Sequence, residues 1–311
     1  MSGSVIDTVK GIEYVPCDLC GAIDSAKYLT VKDRIYDMPG EFTLVKCGYC
    51  GLLYLNPRPD KTHIASYYPD MDYHAFRPVH GLKAALLEPL RAGEARSLME
   101  GLPTKPRILE IGCATGDLLV RLRVLGADVM GVEPNAAAVK VATEVRGLKV
   151  LTGMLDDVQL EPGQFDVVLM KYALEHVHSP LATLQAIKKL LKPGGRAVFW
   201  VPNAKSLDAR LFGSYWRGLD APRHLYIFTP DTLRKLLDAA GMKTTLVSYS
   251  PLPNDWAGSV EFWLKAKGVP AAVARLAGVS DPLAMLAWLP ISTLAALAHA
   301  SGRIKVTATR A

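Results

Sequence analysis

From Pro106 onward, short apolar runs alternate with stretches of helical periodicity. Arg107-Ile-Leu-Glu-Ile111 is an apolar run closed by glycines, as expected of a buried strand. The pattern then predicts a helix over 117–125, a strand over 128–132, a helix over 136–145 and a strand over 148–151. Phe165-Asp-Val-Val-Leu-Met170 reads as the next buried strand. A helix over 180–191 stops at Lys192-Pro193-Gly194-Gly195, which cannot continue it, and a strand follows over 196–201. Thr229 and Pro230 are the N-cap and first residue of a helix to Ala240, and Gly241 ends it before a strand over 243–250. Residues 303–310 alternate with period two. Strands and helices in this order predict a doubly wound α/β fold, a parallel sheet with helices on both faces.

The first hundred residues follow a different pattern. Two strands are predicted over 26–31 and 42–46, then an aromatic, proline-punctuated stretch over 54–77 that includes Asp72-Tyr73-His74. A helix over 82–100 places Leu82, Ala85, Leu86 and Leu90 at helical spacing. The strands are bracketed by Cys17-x-x-Cys20 and Cys47-x-x-Cys50, with 26 residues between the pairs. Gly21 and Gly51 follow the pairs and Gly48 lies inside the second, permitting tight turns that aim backbone amides at thiolates. Four soft thiolates at this spacing suit tetrahedral Zn²⁺, so a zinc ribbon is expected over 1–60. The organisation expected is this ribbon, a connecting loop and helix over 61–105, and a cofactor-binding domain over 106–311. The first sixteen residues carry Asp7, Lys10 and Glu13 and no apolar core, so no secretory signal is expected and a cytoplasmic protein is.

Composition narrows the function classes. The chain has 311 residues, a net charge of +6 from 36 Lys and Arg against 30 Asp and Glu, and 50% hydrophobic content. That excludes a disordered, collagen-like or disulfide-dense scaffold. The basic excess is dispersed without any Lys/Arg block, which speaks against nucleic acid as a partner.

Glu110-Ile-Gly112-Cys113-Ala114-Thr115-Gly116 lies where the first strand of the α/β region turns into its helix, the ligand-binding edge of such sheets. Glu133 ends the second strand, 17 residues beyond Gly116, where a carboxylate can accept both hydroxyls of a ribose. A dinucleotide site wants a third glycine to seat a pyrophosphate, whereas here Asp117 starts the helix. An adenosyl ligand with a cationic amino group and no phosphate fits better.

At these residues the chain resembles the class I S-adenosylmethionine methyltransferases, over 106–250, through Glu-x-Gly-x-x-x-Gly, the acidic end of the second strand and Phe-Asp-Val-Val. The ribbon in front resembles the zinc-containing subgroup known among sugar and natural-product C-methyltransferases. The resemblance implies that Glu110, Gly112, Cys113, Ala114 and Gly116 line the methionine end of S-adenosylmethionine. It places Glu133 on the ribose, Pro134 beside the adenine, and Met154 and Leu155 against the adenine ring, with Asp156 as a neighbouring carboxylate. Lys171 and Tyr172 then approach the sulfonium. It also implies an antiparallel seventh strand, which 303–310 fits, beside the sixth.

Methyl transfer requires an acceptor held in line and a group that takes its proton. Leu174-Glu175-His176 resembles the Glu-His that many relatives carry after the fourth strand. The loop after the fifth strand carries Ala221-Pro222-Arg223-His224 where the sugar C-methyltransferases have Tyr-x-Glu-His, keeping only the histidine. His224 is the first candidate base and His176 the second. Arg223 suggests an anionic acceptor or a structural ion pair, and Tyr226 is a further site candidate or core. The expected activity is methyl transfer to a glycosyl, lipid-linked or hydrophobic small molecule. Ribosomal RNA methylation and a non-catalytic scaffold are the alternatives.

The insertion over 251–302 holds 19 consecutive residues, 282–300, without Asp, Glu, Lys or Arg. A single crossing of a membrane would strand the last strand away from its own sheet. Two short helices broken at Pro290 are expected instead. They would serve as a lid, a homodimer face or a peripheral foot on the inner membrane surface.

Overall fold

A computed structural model of the chain describes residues 11–68 and 81–310, with side chains from residue 88 in the helix that opens the second stretch. The Asp72-Tyr73-His74 run, the start of the supposed signal-free segment, and the side chains of Leu82, Ala85 and Leu86 lie outside the described residues. In chain order the N-terminal elements are β1 (Ile12–Glu13), β2 (Ser25–Val31), β3 (Phe42–Cys47), β4 (Leu53–Leu55) and β5 (Arg58–Pro59). There follow α1 (Gly81–Met99), β6 (Arg107–Ile111), α2 (Asp117–Val124), β7 (Asp128–Glu133), α3 (Ala136–Lys140) and β8 (Val150–Thr152). Next come β9 (Phe165–Lys171), α4 (Pro180–Leu190), β10 (Leu191–Pro202), α5 (Leu207–Phe212), β11 (Tyr226–Ile227), α6 (Pro230–Ala239) and β12 (Met242–Tyr249). The chain closes with α7 (Asn254–Ala266), α8 (Ala271–Arg275), α9 (Pro282–Leu297) and β13 (Arg303–Arg310).

Seven strands form one sheet in the order β12-β13-β10-β9-β6-β7-β8. β13 runs antiparallel to both neighbours, β10 and β12, and the inner pairs are parallel. The period-two alternation of the apolar runs divides the core between two faces. Leu109, Ile111, Val168 and Met170 pack with α4 and α6, whereas Ile108, Val167 and Leu169 pack with α1 and α2. The caps read from sequence form: the Thr229 hydroxyl accepts from the Thr232 N–H at 3.1 Å and Thr232 reciprocates.

β2, β3 and β4 form an antiparallel sheet whose fourth strand, β11, comes from the segment between β10 and α6. The residues around the cysteines therefore share one apolar core with the large sheet, in which Phe42, Leu44 and Tyr54 pack together with Phe199 and Tyr226.

Three local expectations are corrected. The strand expected over 148–151 forms at 150–152, because Leu148 turns inward. Its Cδ1 fills the space a Gly116 side chain would need, 2.2 Å from where that Cβ would stand. Residues 191–202 form one strand with a register shift between Leu191 and Arg196, so the Lys192–Gly195 turn is a bulge within it. Finally, Pro290 does not break the insertion into two short helices. α9 runs through it, with the proline exposed and the Ser292 and Thr293 hydroxyls donating to the Leu289 carbonyl at 2.9 and 2.8 Å.

Candidate active site

The carboxyl ends of β6, β7, β8 and β9 converge on the glycine-rich loop after β6. Gly112, Ala114 and Gly116 all have positive φ, and a Cβ on Gly112 would stand 2.8 Å from the Ala173 methyl. A glycine is therefore required there for two strand ends to approach closely. Cys113 turns its thiol into the core beneath Gly131, so it faces the loop through its backbone only.

Glu133 ties β7 to this loop. Its carboxylate accepts from the Ala114 and Asn135 N–H groups at 2.9 Å each, and burial raises its pKa. Pro134 is exposed beside it, and the Gly153 N–H donates to the Glu133 carbonyl at 3.0 Å. That bond brings Met154, 37% exposed, and the half-buried Leu155 to the same edge. Asp156 is turned to solvent and pairs with Lys61 at 3.0 Å.

Glu110 is buried and, among the described residues, its Oε2 has no hydrogen-bond partner. Burial pushes its pKa up to about 8, against the pull of nearby Lys171. Lys171 itself is paired with Glu94 of α1 at 2.5 Å. Tyr172 has φ 55° and lies under the Arg303 guanidinium, 4.5 Å from its ring centroid. An orphaned carboxylate at a loop built for close approach is chemically matched to a cationic amino group. The electrostatic argument against a phosphate needs revision. Asp117 does begin α2, but its carboxylate lies within 2.6–3.6 Å of Arg121, Arg146 and Arg91.

A second cluster lies behind β9. Glu175 is fully buried and, among the described residues, neither carboxyl oxygen has a hydrogen-bond partner on another residue; burial pushes its pKa up to about 8. The rings of His176 and His224 meet edge to face with centroids 4.6 Å apart. His224 donates Nδ1–H to the Gly218 carbonyl at 2.9 Å, and His176 donates Nδ1–H to the Arg223 carbonyl at 3.0 Å. For His224 this assignment leaves the Nε2 lone pair without a hydrogen bond among the described residues. His224 Nε2 stands 3.9 Å from Glu175 and 3.8 Å from Asp220. Burial depresses both histidines, His176 to about 4 and His224 well below its ordinary value, where the neighbouring His176 adds to the effect. Both imidazoles are therefore neutral near pH 7.

Of the two readings of Arg223, anion receptor or structural ion pair, the structure shows the ion pair. All five of its N–H donors are used, two on Asp33, two on Asp220 and one on the Tyr67 carbonyl. Its guanidinium also lies over the Tyr36 ring at 4.6 Å. Tyr226, read as a site candidate or core, is buried in the core. Its hydroxyl accepts from Arg58 and donates to the His178 carbonyl, within the shared core. Sequence reasoning assigned no role to Asp33 or Tyr68. Nothing local marks Asp33, and the Tyr68 hydroxyl reaches His176 at 2.9 Å only through the fold.

The four thiols of Cys17, Cys20, Cys47 and Cys50 lie within 4.8 Å of one another. N–H groups of Leu19 and Cys20 bond the Cys17 sulfur, and those of Tyr49 and Cys50 bond the Cys47 sulfur. This donor set, with two matching turns, fits a tetrahedral metal.

A family model described as a methyltransferase domain matches residues 73–247. The chain belongs to this family and is an S-adenosylmethionine-dependent methyltransferase. Among curated proteins it is similar to the ubiquinone biosynthesis O-methyltransferase of Cereibacter sphaeroides, 34% identical over 183 residues. The protein of the same description from Roseobacter denitrificans is 37% identical over 183 residues; in both cases the match covers 54% of this chain and 74% of the relative. Among solved structures, geranyl diphosphate C-methyltransferase from Streptomyces coelicolor is similar in fold. That match has a TM-score of 0.50 at 15% identity, covering 78% of this chain and 89% of the other.

Proposed function

We propose that the chain methylates a hydroxyl of a hydrophobic small molecule, with His224 accepting the hydroxyl proton. The observation that carries this reading is the neutral His224 ring beside two buried carboxyl groups. Its Nδ1–H is anchored on Gly218, so its Nε2 is the proton acceptor. Asp220, with a carboxyl oxygen 3.8 Å away, would stabilise the imidazolium as it forms. O-methylation is supported by the similarity to the ubiquinone biosynthesis O-methyltransferases.

Bound S-adenosylmethionine supplies an electrophilic methyl group. Glu110 would hold its amino group and Glu133 its ribose hydroxyls. Gly112, Ala114 and Gly116 would present backbone to its methionine end, and Pro134, Met154 and Leu155 would flank the adenine. Lys171 and Tyr172 would close the site at the end of β9. Zinc at Cys17, Cys20, Cys47 and Cys50 would act structurally, fixing the strands that carry Asp33 against Arg223 and hence the loop bearing His224. Absence of any Lys/Arg block supports a small acceptor over RNA.

The test is transfer of labelled methyl from S-adenosylmethionine into a panel of hydrophobic phenols and alcohols. The reading predicts label in an O-methyl product and its loss in His224→Gln. Labelled RNA, or full turnover by His224→Gln, would overturn it.

A further inference from the structure

We propose that the outward face of α9 docks on an anionic lipid bilayer, laying the enzyme on the membrane surface. Every outward side chain of α9 is uncharged: Leu283, Leu286, Leu289, Ile291, Leu294 and Leu297 are all exposed. Leu283 and Leu297, at opposite ends of the helix, are 75% and 76% exposed. The inward positions Ala284, Trp288, Ser292 and Ala295 pack toward the domain, where Trp288 stacks on Trp256 of α7 at 5.6 Å. At roughly 100° per residue, the exposed positions of α9 sweep about 200° of the helix circumference.

The width of that arc favours lipid. A second helix of a rigid partner covers a stripe of roughly 100°, whereas fluid lipid follows a convex surface around its whole exposed side. The polar groups agree. Thr293 is the one hydroxyl on the exposed arc, and it is already bonded within the helix to the Leu289 carbonyl. No outward side chain of α9 would therefore be left unpaired in an apolar phase.

Charge around the patch agrees too. Within 251–302 the acids are committed: Asp255 to Arg303, Glu261 to Lys265, and Asp281 to the N–H groups of Leu283 and Ala284 as the cap of α9. Lys267 and Arg275 are exposed and, among the described residues, form no ion pair. Within this insertion the charges outside ion pairs are Lys267 and Arg275 against Asp281, an excess that is positive and complements an anionic surface. No helix among the described residues is long and apolar enough to cross a membrane, so α9 lies along the surface.

Docking there would set the acceptor loop near the lipid. α7, which supports α9, accepts at Ser259 Oγ from the Arg217 N–H at 2.9 Å. Arg217 begins the turn whose Gly218 carbonyl anchors His224. A bilayer-dissolved acceptor would then be presented close to the site.

The experiment is sedimentation of the full chain with vesicles of phosphatidylcholine alone or mixed with phosphatidylglycerol, alongside sedimentation velocity without lipid. Binding to the mixed vesicles is expected, at least tenfold weaker without phosphatidylglycerol. Leu286→Asp/Leu294→Asp should reduce it at least tenfold, and Lys267→Glu/Arg275→Glu several-fold, with thermal unfolding and S-adenosylmethionine affinity unchanged. Absence of vesicle binding would overturn the proposal. So would a lipid-free dimer dispersed by Leu286→Asp/Leu294→Asp, which would make the face a contact between copies. Cofactor affinity and methyl transfer are read separately, so failure of lipid docking is distinguishable from failure of the enzymatic reading.

Discussion

Arg223 grips Asp33 across 190 residues of chain, through two hydrogen bonds of 2.7 and 2.8 Å with both side chains fully buried. Asp33 also receives the N–H groups of Ile35 and Tyr36, so the ion pair anchors a turn after β2 as well as the loop carrying His224. Removing Asp33 leaves Arg223 paired with Asp220 but strips two buried N–H donors of their acceptor, at a cost of about 2–5 kcal/mol. Asp33→Ala should lower unfolding free energy by that amount in urea titrations and impair turnover more than cofactor binding. A loss under 1 kcal/mol would mean that the pair does not hold the loop.

Glu110 is mostly protonated in the free protein near pH 7, because its pKa lies at about 8. A cationic amino group beside it would restore the carboxylate and expel a proton. S-adenosylmethionine binding at pH 7 should therefore release close to one proton, seen as a dependence of calorimetric heat on the buffer's ionisation enthalpy. Glu110→Gln should abolish the release and weaken binding about 10- to 100-fold, the loss expected for a charged hydrogen bond of about 1.5–3 kcal/mol. Proton release undiminished in that variant would assign it elsewhere.

The four buried groups around the two sites set an unusual pH dependence. Glu110 and Glu175, raised from 4.5 to about 8, hold protons in the folded chain that the unfolded chain has lost. His176 and His224 are lowered from 6.5, so the folded chain lacks protons that the unfolded chain holds below that pH. The first effect makes stability fall as pH rises through 4.5–8, and the second makes it rise up to about 6.5. The two offset below 6.5. From there to pH 8 the carboxyl effect acts alone, and stability of the cofactor-free protein should fall by about 1.4 kcal/mol per pH unit for each carboxyl. Glu175→Gln should flatten that fall in chemical denaturation curves, and an unchanged slope would contradict the assignment.

His224→Ala should reduce turnover by about 10²–10⁴-fold, the usual contribution of a positioned base. S-adenosylmethionine affinity should be retained, because Glu110 and Glu133 lie on other strands. His176→Ala, which removes a ring packed on His224 but not the proposed acceptor nitrogen, should cost less. The reverse ranking would transfer the base to His176.

Metal analysis should give one zinc per chain. Strong chelation, or Cys47→Ser, should destabilise the whole molecule rather than one lobe, because the cysteine-bearing strands share the main apolar core. Two separate unfolding transitions after chelation would show instead that this core is divided.

Periodicity carried the order of strands and helices, since a residue's side of a strand or helix is a local property. Thr229 and the glycine-rich loop were legible because caps and positive-φ turns are set by one or two residues. The two Cys-x-x-Cys turns were legible because a tetrahedral site takes its ligands at short spacing. Misreadings arose where a distant atom decided. Leu148 left its expected strand to fill the space over Gly116, whereas Pro290 stays within α9 on the exposed side of the helix.

By itself, then, the sequence determined the α/β order, the cofactor loop and the four-thiol cluster, all written in residues close along the chain. Tertiary structure alone decided that Arg223 is spent on Asp33 and Asp220, that Tyr226 belongs to a sheet shared with the cysteine-bearing strands, and that Glu110 and Glu175 are buried. Pairing and desolvation depend on which groups meet across the fold, and contacts between residues far apart in the chain leave no mark in local spacing.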